Sequence, residues 1–154
     1  MKSGSRIALL AAIGAATLFI APNAGADRVY HSQHVALTPV AGAPLRAGFV
    51  ENIHANGPNV FAHEVYVLIG AAPEATYAVH TIAYPFDPTC SGTGVDLGAT
   101  TLTTNVAGNG RSDRFIRPAD IPNAVRGTTL GVRWEVTRNG VVVYASACQA
   151  VTLD

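Results

Sequence analysis

Hydrophobic and polar residues alternate along much of the chain, most clearly from 130 to 138. Successive side chains of a β-strand point to opposite faces, so this period of two predicts a strand with one apolar face. That face would carry Leu130, Val132, Trp134 and Val136. Asn139-Gly140 follows, and this dipeptide favours a type I′ hairpin turn because both central residues of that turn need positive φ. A return strand is therefore predicted over 141–153.

The turn also predicts how the two strands pair. If Asn139 and Gly140 form a two-residue loop, Arg138 pairs with Val141 and the register continues from there. Trp134 would then face Ala145 in the core, as a large ring against a small methyl group. On the opposite face, Gly131 would lie across from Cys148, and a glycine at that place leaves room for a loop to lie on the sheet.

Six further segments of alternating or β-branched residues predict strands. They are 29–38, 46–55, 60–69, 76–85, 99–105 and 111–117. Turn-forming clusters of Asn, Gly and Pro at 56–59, 71–74 and 105–110 separate them, and 117–127 is predicted as a longer connection with one helical turn. About eight short strands at this spacing predict an all-β, single-domain antiparallel sandwich or flattened barrel, with Greek-key or immunoglobulin-like topology.

The first 26 residues do not follow the strand pattern. Lys2 and Arg6 precede an uncharged apolar run of fourteen residues from Ile7 to Ile20, and a small-x-small pattern ends at Ala26. This arrangement is typical of a bacterial secretory signal peptide cleaved after Ala26. A membrane anchor is disfavoured because fourteen helical residues rise about 21 Å, less than the ~30 Å hydrocarbon core of a bilayer. We therefore expect a secreted domain over 27–154.

Removal of the leader changes the charge. The full chain has ten basic and ten acidic residues, whereas 27–154 keeps eight arginines, no lysine and all ten acids, for a net charge of −2. A weakly acidic domain has no electrostatic attraction to nucleic acid or to anionic lipid, and no membrane span is predicted after position 26. We expect an unknown protein or an envelope component as the partner.

Cys90 and Cys148 are the only cysteines of the chain. In an oxidising compartment they predict one disulfide across 58 positions. Together with the glycine expected opposite Cys148, this predicts that the loop 87–92 is fastened over the outer face of the last hairpin. A redox-active pair is disfavoured because the spacing is not Cys-x-x-Cys.

Five histidines raise the question of a metal. His54 and His63 flank the turn at 56–59 and could approach each other across a hairpin, with Glu51 or Glu64 nearby. A metal site needs three or four converging ligands, and no spacing here demands that arrangement. The alternative for His63 is a hydrogen-bonded core histidine. No cofactor is predicted.

Four arginines fall within sixteen residues, and two aspartates are interleaved with them. These arginines are Arg111, Arg114, Arg117 and Arg126. They predict either a solvated strand face with surface ion pairs or a modest patch that binds an anion or a partner. Alternation places Arg114 and Phe115 on opposite faces.

Catalytic motifs do not accompany these features. The chain contains no Gly-x-Ser-x-Gly nucleophile elbow and no phosphate-binding glycine loop. The acids are spread evenly along the chain and predict turns and solvent-facing positions rather than a paired-carboxylate site. The sequence therefore predicts a protein that is not an enzyme.

Short motifs resemble small secreted sandwich domains. The run Gly-Ala-Ala-Pro-Glu-Ala-Thr-Tyr at 70–77, Cys-Ser-Gly at 90–92 and a cysteine in the final strand are similar to the CHRD family. One disulfide from a mid-chain loop to the last of eight strands also resembles the Cu,Zn superoxide dismutase plan. The resemblance implies that fold without its activity, because the His-x-His copper motif is absent.

The function predicted from the sequence is that of a non-catalytic extracellular or cell-envelope binding module of unknown ligand. The alternative is a metal-binding protein or metal-dependent enzyme that uses His54 and His63.

Overall fold

A computed structural model describes residues 31–54, 62–121, 125 and 127–152. The described chain contains nine β-strands, one short 3-10 helix at Pro118–Asp120 and no α-helix. The strands are β1 His31–Pro39, β2 Ala47–His54, β3 Ala62–Ile69, β4 Thr76–Tyr84, β5 Val95–Thr103, β6 Gly110–Ile116, β7 Thr129–Arg138, β8 Val141–Ser146 and β9 Gln149–Thr152. All eight predicted strands are present, and the last of them is divided into β8 and β9.

The strands form one antiparallel sheet that is nearly closed into a barrel. Their order is β5-β4-β7-β8-β1-β2-β3-β6, and β9 pairs with β7 beside β8. The all-β antiparallel prediction is therefore confirmed. The signal peptide predicted at 1–26 lies outside the described residues, and within those residues no helix is long and apolar enough to cross a membrane.

Strand β1 joins the two halves of the barrel because it changes partner along its length. Residues 31–36 pair with β2, whereas Leu37–Pro39 pair with β8. The first half of β1 therefore has no backbone ladder to β9, and the side chain of Gln33 reaches across instead, with Nε2 donating to the carbonyl oxygen of Ala150 at 3.3 Å.

The other seam lies between β5 and β6, the two strands at the ends of the order. The guanidinium of Arg114 in β6 donates to the carbonyl oxygens of Leu97 and Gly98 in β5. These carbonyls belong to an irregular stretch of β5, where the pairing with β4 shifts between His80 and Ile82 and Gly98 has φ of +100°. Side chains, rather than a continuous backbone ladder, thus bridge both seams.

The hairpin of β7 and β8 corrects the predicted register. Asn139 and Gly140 have φ of 52° and 76°, and Arg138 pairs with Val141, as predicted. The pairing of Thr137 with Val142 keeps this register, and the shift comes at the next pair, so that Glu135 pairs with Ala145. The predicted pairing of Trp134 with Ala145 is therefore wrong, because a bulge adds one residue to β8.

The bulge does not change which face of β7 is buried. Trp134 is fully buried, as the alternation predicted, and its backbone N–H donates to the hydroxyl of Ser146 at 3.0 Å. A bulge in β8 moves that strand against β7 but leaves the alternation within β7 intact.

Cys90 and Cys148 form a disulfide, with their sulfur atoms 2.02 Å apart. Gly131 pairs with Ala150 rather than with Cys148, because the register shifts again at β9. The predicted role of this glycine is nevertheless confirmed: its N–H donates to the carbonyl oxygen of Asp87 at 3.0 Å, and the loop that carries Cys90 lies directly on it.

Gly131→Ala is expected to lower the free energy of unfolding by about 2 kcal/mol, the usual cost of forcing an extra carbon into a packed site. A Cβ at this position would lie 2.5 Å from the carbonyl oxygen of Asp87 and 2.7 Å from the sulfur of Cys90. Chemical denaturation followed by Trp134 fluorescence measures the loss. Gly92→Ala in the same loop is the control, since its nearest new contact is a flexible carboxylate at 3.3 Å. Equal stability of the two variants would contradict the close packing of the loop 87–92 on Gly131.

The hydrophobic core is densest in the half of the barrel nearest the β7–β8 turn. Inward side chains of both halves of the sheet meet there, and two tyrosines pack with ring centroids 5.7 Å apart. This closed half contains Leu37, Val50, Leu68, Tyr77, Val79, Leu102, Val136 and Tyr144. The opposite half is less completely filled and contains the candidate site.

Candidate functional site

Four polar side chains form a row across the inside of the barrel, which we call the polar belt. Its members are Gln33, Asn52, Glu64 and Arg114, each the direct cross-strand neighbour of the next on β1, β2, β3 and β6. They point inward because each shares its strand face with buried core residues two positions away. The belt separates the closed apolar half of the barrel from the open half.

Glu64 is the centre of the belt and is almost completely buried, at 2% exposure. Its Oε1 accepts a hydrogen bond of 3.0 Å from Nε1 of Trp134. Its Oε2 accepts one of 2.7 Å from the hydroxyl of Thr81 and a second from the hydroxyl of Tyr66. Thr81 and Trp134 are themselves cross-strand partners on β4 and β7. Glu64 therefore links the two walls of the barrel.

Burial raises the pKa of the Glu64 carboxyl, because a low-dielectric interior disfavours the charged form. The hydrogen bonds from Thr81, Tyr66 and Trp134 and the positive charge of Arg114 act against this shift without cancelling it. The pKa of Tyr66 is also raised, first by burial and then by the charge of Glu64, so its phenol remains a protonated donor. A buried carboxyl with a raised pKa beside a cavity is a common feature of binding and catalytic sites.

The raised pKa predicts a pH dependence of stability that Glu64→Gln removes. The folded state holds this proton more tightly than the unfolded chain, whose ordinary value is 4.5. The stabilisation is therefore complete below pH 4.5 and is lost as the pH rises through the folded-state pKa, with a slope of at most about 1.4 kcal/mol per pH unit. Urea denaturation from pH 4 to 9 measures the difference between wild type and variant. The lowered pKa values of Asp87 and Asp96 act below this window. A difference that is constant above pH 4.5 would contradict the assignment.

A small cavity of about 30 Å³, partly open to solvent, lies on the open side of the belt. Its polar lining consists of Asn52, His54, Glu64 and Thr81, and its apolar lining consists of Ala62, Leu97, Ile116, Ile121, Leu130, Val132 and Val151. A second cavity of about 40 Å³ shares Leu97, Ile121 and Leu130 with the first, and its other lining residues are Ala83, Pro85, Val95 and Val125. The open half thus offers apolar walls around a small polar floor.

Asn52 adds an unpaired polar atom to this floor. Its side-chain nitrogen lies 2.9 Å from Nε2 of His54, whereas its buried Oδ1 has no hydrogen-bond partner among the described residues. The residue is 2% exposed, so bulk water does not solvate that oxygen. A buried polar atom without a partner costs free energy, and most such atoms in proteins are satisfied by protein, water or ligand.

The structure does not bring His54 and His63 together in one site. His54 lines the interior cavity, whereas His63 lies on the outer face of β3, where it hydrogen-bonds Asp113 at 3.0 Å and stacks on Phe115. The interpretation of His63 as a core histidine is therefore wrong. Within the described part of the chain, no three His, Cys, Asp or Glu side chains are grouped closely enough to hold a metal ion.

The predicted arginine patch is divided as well. Arg114 faces inward and Arg111 outward on the same strand, as alternation requires, and the backbone N–H of Arg117 donates to Asp120 at the start of the 3-10 helix. Arg126 lies outside the described residues. Of the predicted candidates, Arg114 alone belongs to the polar belt.

Sequence reasoning named Glu64 only as a neighbour of the histidines and did not identify Asn52. A signal was available, because Glu64 alternates with Ala62, Tyr66 and Leu68 and so occupies the apolar face of its own strand. An acid at such a position is buried only with partners, and those partners come from β4 and β7, far away in sequence.

Comparison with protein-family models, with curated proteins and with solved structures finds no significant match.

Proposed function

We propose that this chain is a secreted, non-catalytic binding protein that takes a small, largely apolar molecule into the open half of its barrel. The observation that carries the proposal is the unpaired Oδ1 of Asn52 beside buried Glu64, at the polar end of an otherwise apolar cavity. Small-molecule sites are usually concave and apolar, with a few placed polar groups that orient the ligand. The open half of the barrel has this composition.

The position of the polar groups also favours a ligand site. The closed half of the barrel is filled by large side chains, whereas the open half has smaller ones around Glu64 and Asn52. A structural network alone would be expected to satisfy all its buried atoms, as the three donors to Glu64 do. Within the polar belt, Oε1 of Gln33 and Oδ1 of Asn52 have no partner among the described residues, and only Asn52 lines the cavity. Asn52 departs from that rule at the cavity wall, where a ligand can complete it.

Binding is favoured over catalysis by the engagement of Glu64. Both carboxyl oxygens already hold hydrogen bonds, and the hydroxyl of Thr81 is held against Oε2. A general base needs access to the proton it removes, whereas a ligand-orienting carboxyl needs only a rigid position. The three donors supply that rigidity.

The export signal and the fold plan complete the proposal. The apolar run at 7–20 and the small residues before position 27 support secretion, and the disulfide fits an oxidising compartment. The proposal also includes the resemblance to CHRD-like and superoxide-dismutase-like sandwich domains. That resemblance implies that the antiparallel strands form a flattened barrel. In this proposal the ligand replaces the metal of the dismutase plan.

Titration with isopropanol, which matches the small size of the cavities, tests the binding function. We expect saturable changes in the fluorescence of Trp134 and in the backbone NMR signals of Leu97, Ile121 and Leu130, which line both cavities. Ala62→Leu fills part of the first cavity and should weaken binding by about tenfold, the cost of losing roughly 1.4 kcal/mol of contact.

Ala78→Leu is the matched control because Ala78 is not part of either cavity lining and alternates with the buried Tyr77 and Val79. Its affinity should equal that of the wild type. Signal changes spread over the outer surface, or equal weakening by both variants, would contradict binding in the barrel.

A further inference from the structure

Among the described residues, no charged side chain lies in direct contact with Glu64. The ion pairs within 4.0 Å in the described chain join His34 to Glu51, His63 to Asp113, His80 to Asp96 and Arg133 to Glu135. Arg114 is its cross-strand neighbour, but the Arg114 guanidinium is engaged by the carbonyl oxygens of Leu97 and Gly98. Burial favours the neutral form of this carboxyl group, whereas a cation in direct contact would favour its charged form.

The hydrogen bonds of Glu64 leave one acceptor position unused. A carboxylate offers about four lone-pair positions on its two oxygens. Oε2 accepts from Thr81 and Tyr66, whereas Oε1 accepts only from Trp134. Oε1 can therefore accept one more hydrogen bond, and Glu64 is one of the residues that line the cavity.

The unpaired oxygen of Asn52 is close to this position. Asn52 and Glu64 are direct cross-strand partners on the inward face of β2 and β3, and both line the same cavity. Side chains in that relation begin about 5 Å apart. The floor of the cavity thus presents two neighbouring oxygens that can accept a further hydrogen bond. Oδ1 of Asn52 has no partner among the described residues, and Oε1 of Glu64 accepts from Trp134 alone.

We infer that the ligand is a small primary amine, bound as its ammonium ion with the ammonium on Glu64 and Asn52 and an apolar tail toward Leu130 and Val132. This inference rests on the proposed binding function and adds the chemical class of the ligand. An ammonium group has three N–H donors and a full positive charge, so it satisfies both oxygens and compensates the carboxylate at once. The tail is short, because the cavity has a volume of only about 30 Å³.

A neutral ligand or a single water molecule would make different demands on the site. An alcohol of the same shape could donate one hydrogen bond to Asn52 but would leave the charge of Glu64 uncompensated. Water would satisfy Asn52 without any need for the apolar walls. Amine selectivity that depends on the carboxylate therefore separates these occupants.

Isothermal titration calorimetry with matched pairs of probes tests the inference. Methylammonium, ethylammonium and isopropylammonium are each compared with the alcohol of the same skeleton, on the full secreted chain with its disulfide intact. We expect at least one ammonium to bind about tenfold or more tightly than its alcohol, as a charge-assisted hydrogen bond is worth more than a neutral one. Glu64→Gln should abolish that preference and leave alcohol binding within about twofold, since it keeps the size of the side chain.

Glu51→Gln is the matched control, because it makes the same chemical change on the outer face of β2. It should leave the preference for ammonium unchanged. Circular dichroism and Trp134 fluorescence establish that Glu64→Gln is folded, and Asn52→Leu provides a second variant that should also reduce ammonium binding.

The outcomes separate the two proposals. Equal binding of ammonium and alcohol, with no effect of Glu64→Gln, would overturn the amine inference and leave the binding function standing. Absence of saturable binding by all six probes would overturn both. A preference for ammonium that survives Glu64→Gln would place the amine elsewhere on the protein and also overturn the inference.

Discussion

Replacing Cys90 and Cys148 together with serine is expected to lower the free energy of unfolding by about 4 kcal/mol. The disulfide closes a separation of 58 residues, and loop-closure entropy for a loop of this length gives a figure of that size. The effect arises mainly in the unfolded state, which gains conformations when the cross-link is absent. Urea denaturation of both proteins under non-reducing conditions measures the difference.

The position of the disulfide predicts which part of the fold is destabilised first when the bond is absent. The loop 87–92 is attached to β7 by the hydrogen bond from Gly131 to Asp87 and to the β8–β9 junction by the disulfide. Hydrogen exchange in the double variant should therefore increase at Gly131 and in β9 before it increases in β2 or β3. A reduced wild-type protein is the matched control, since it loses the same bond without a substitution. If the double variant and the reduced wild type were both as stable as the oxidised wild type, the cross-link would not contribute to the stability of the fold.

Glu64→Leu is expected to lower the free energy of unfolding by about 3 kcal/mol, because buried donors lose their acceptor. Trp134, Thr81 and Tyr66 all donate to this one carboxyl group. The hydroxyls of Tyr66 and Thr81 lie 3.4 Å apart and can pair with each other, whereas Nε1 of Trp134 can only donate. Most of the loss should therefore come from the indole.

A double-mutant cycle isolates that contribution. Trp134→Phe removes the orphaned donor, so the pair Glu64→Leu with Trp134→Phe should be more stable than the sum of the two single losses predicts. Circular dichroism in urea is the measurement, since Trp134 is the chain's one tryptophan. Glu51→Leu, on the outer face, should change stability by no more than about 0.5 kcal/mol. Additive losses in the cycle would mean that the Glu64–Trp134 bond contributes little.

The two predictions concern different parts of the fold, and their predictability from sequence differs accordingly. The disulfide followed from two cysteines and a predicted export signal, and a glycine under the bound loop followed from the hairpin. The cross-strand partner of Gly131 could not be predicted from the sequence. Two register shifts, one in β8 and one at β9, each add one residue to the strands that pair with β7. Bulges depend on how the whole sheet twists and closes, which adjacent residues do not encode.

Glu64 shows the same division at the candidate site. Alternation alone places it on an apolar strand face, but a carboxylate is first expected at the surface of a protein. Its burial in the core depends on hydrogen bonds from Trp134, which is 70 positions away, and from Thr81, which is 17 positions away. Only the order of strands brings these donors together.

The sequence by itself determined the local features of this protein. Period-two alternation predicts the strands, Asn139-Gly140 predicts a turn with two positive φ values, and the cysteine pair predicts the cross-link, because each depends on the conformation or chemistry of a few residues. The tertiary structure alone decided that β1 changes partner, that Arg114 and Gln33 bridge the seams, and that the polar belt divides the barrel. These features depend on which distant strands become neighbours, and burial turns that proximity into a site by removing water from Glu64 and Asn52.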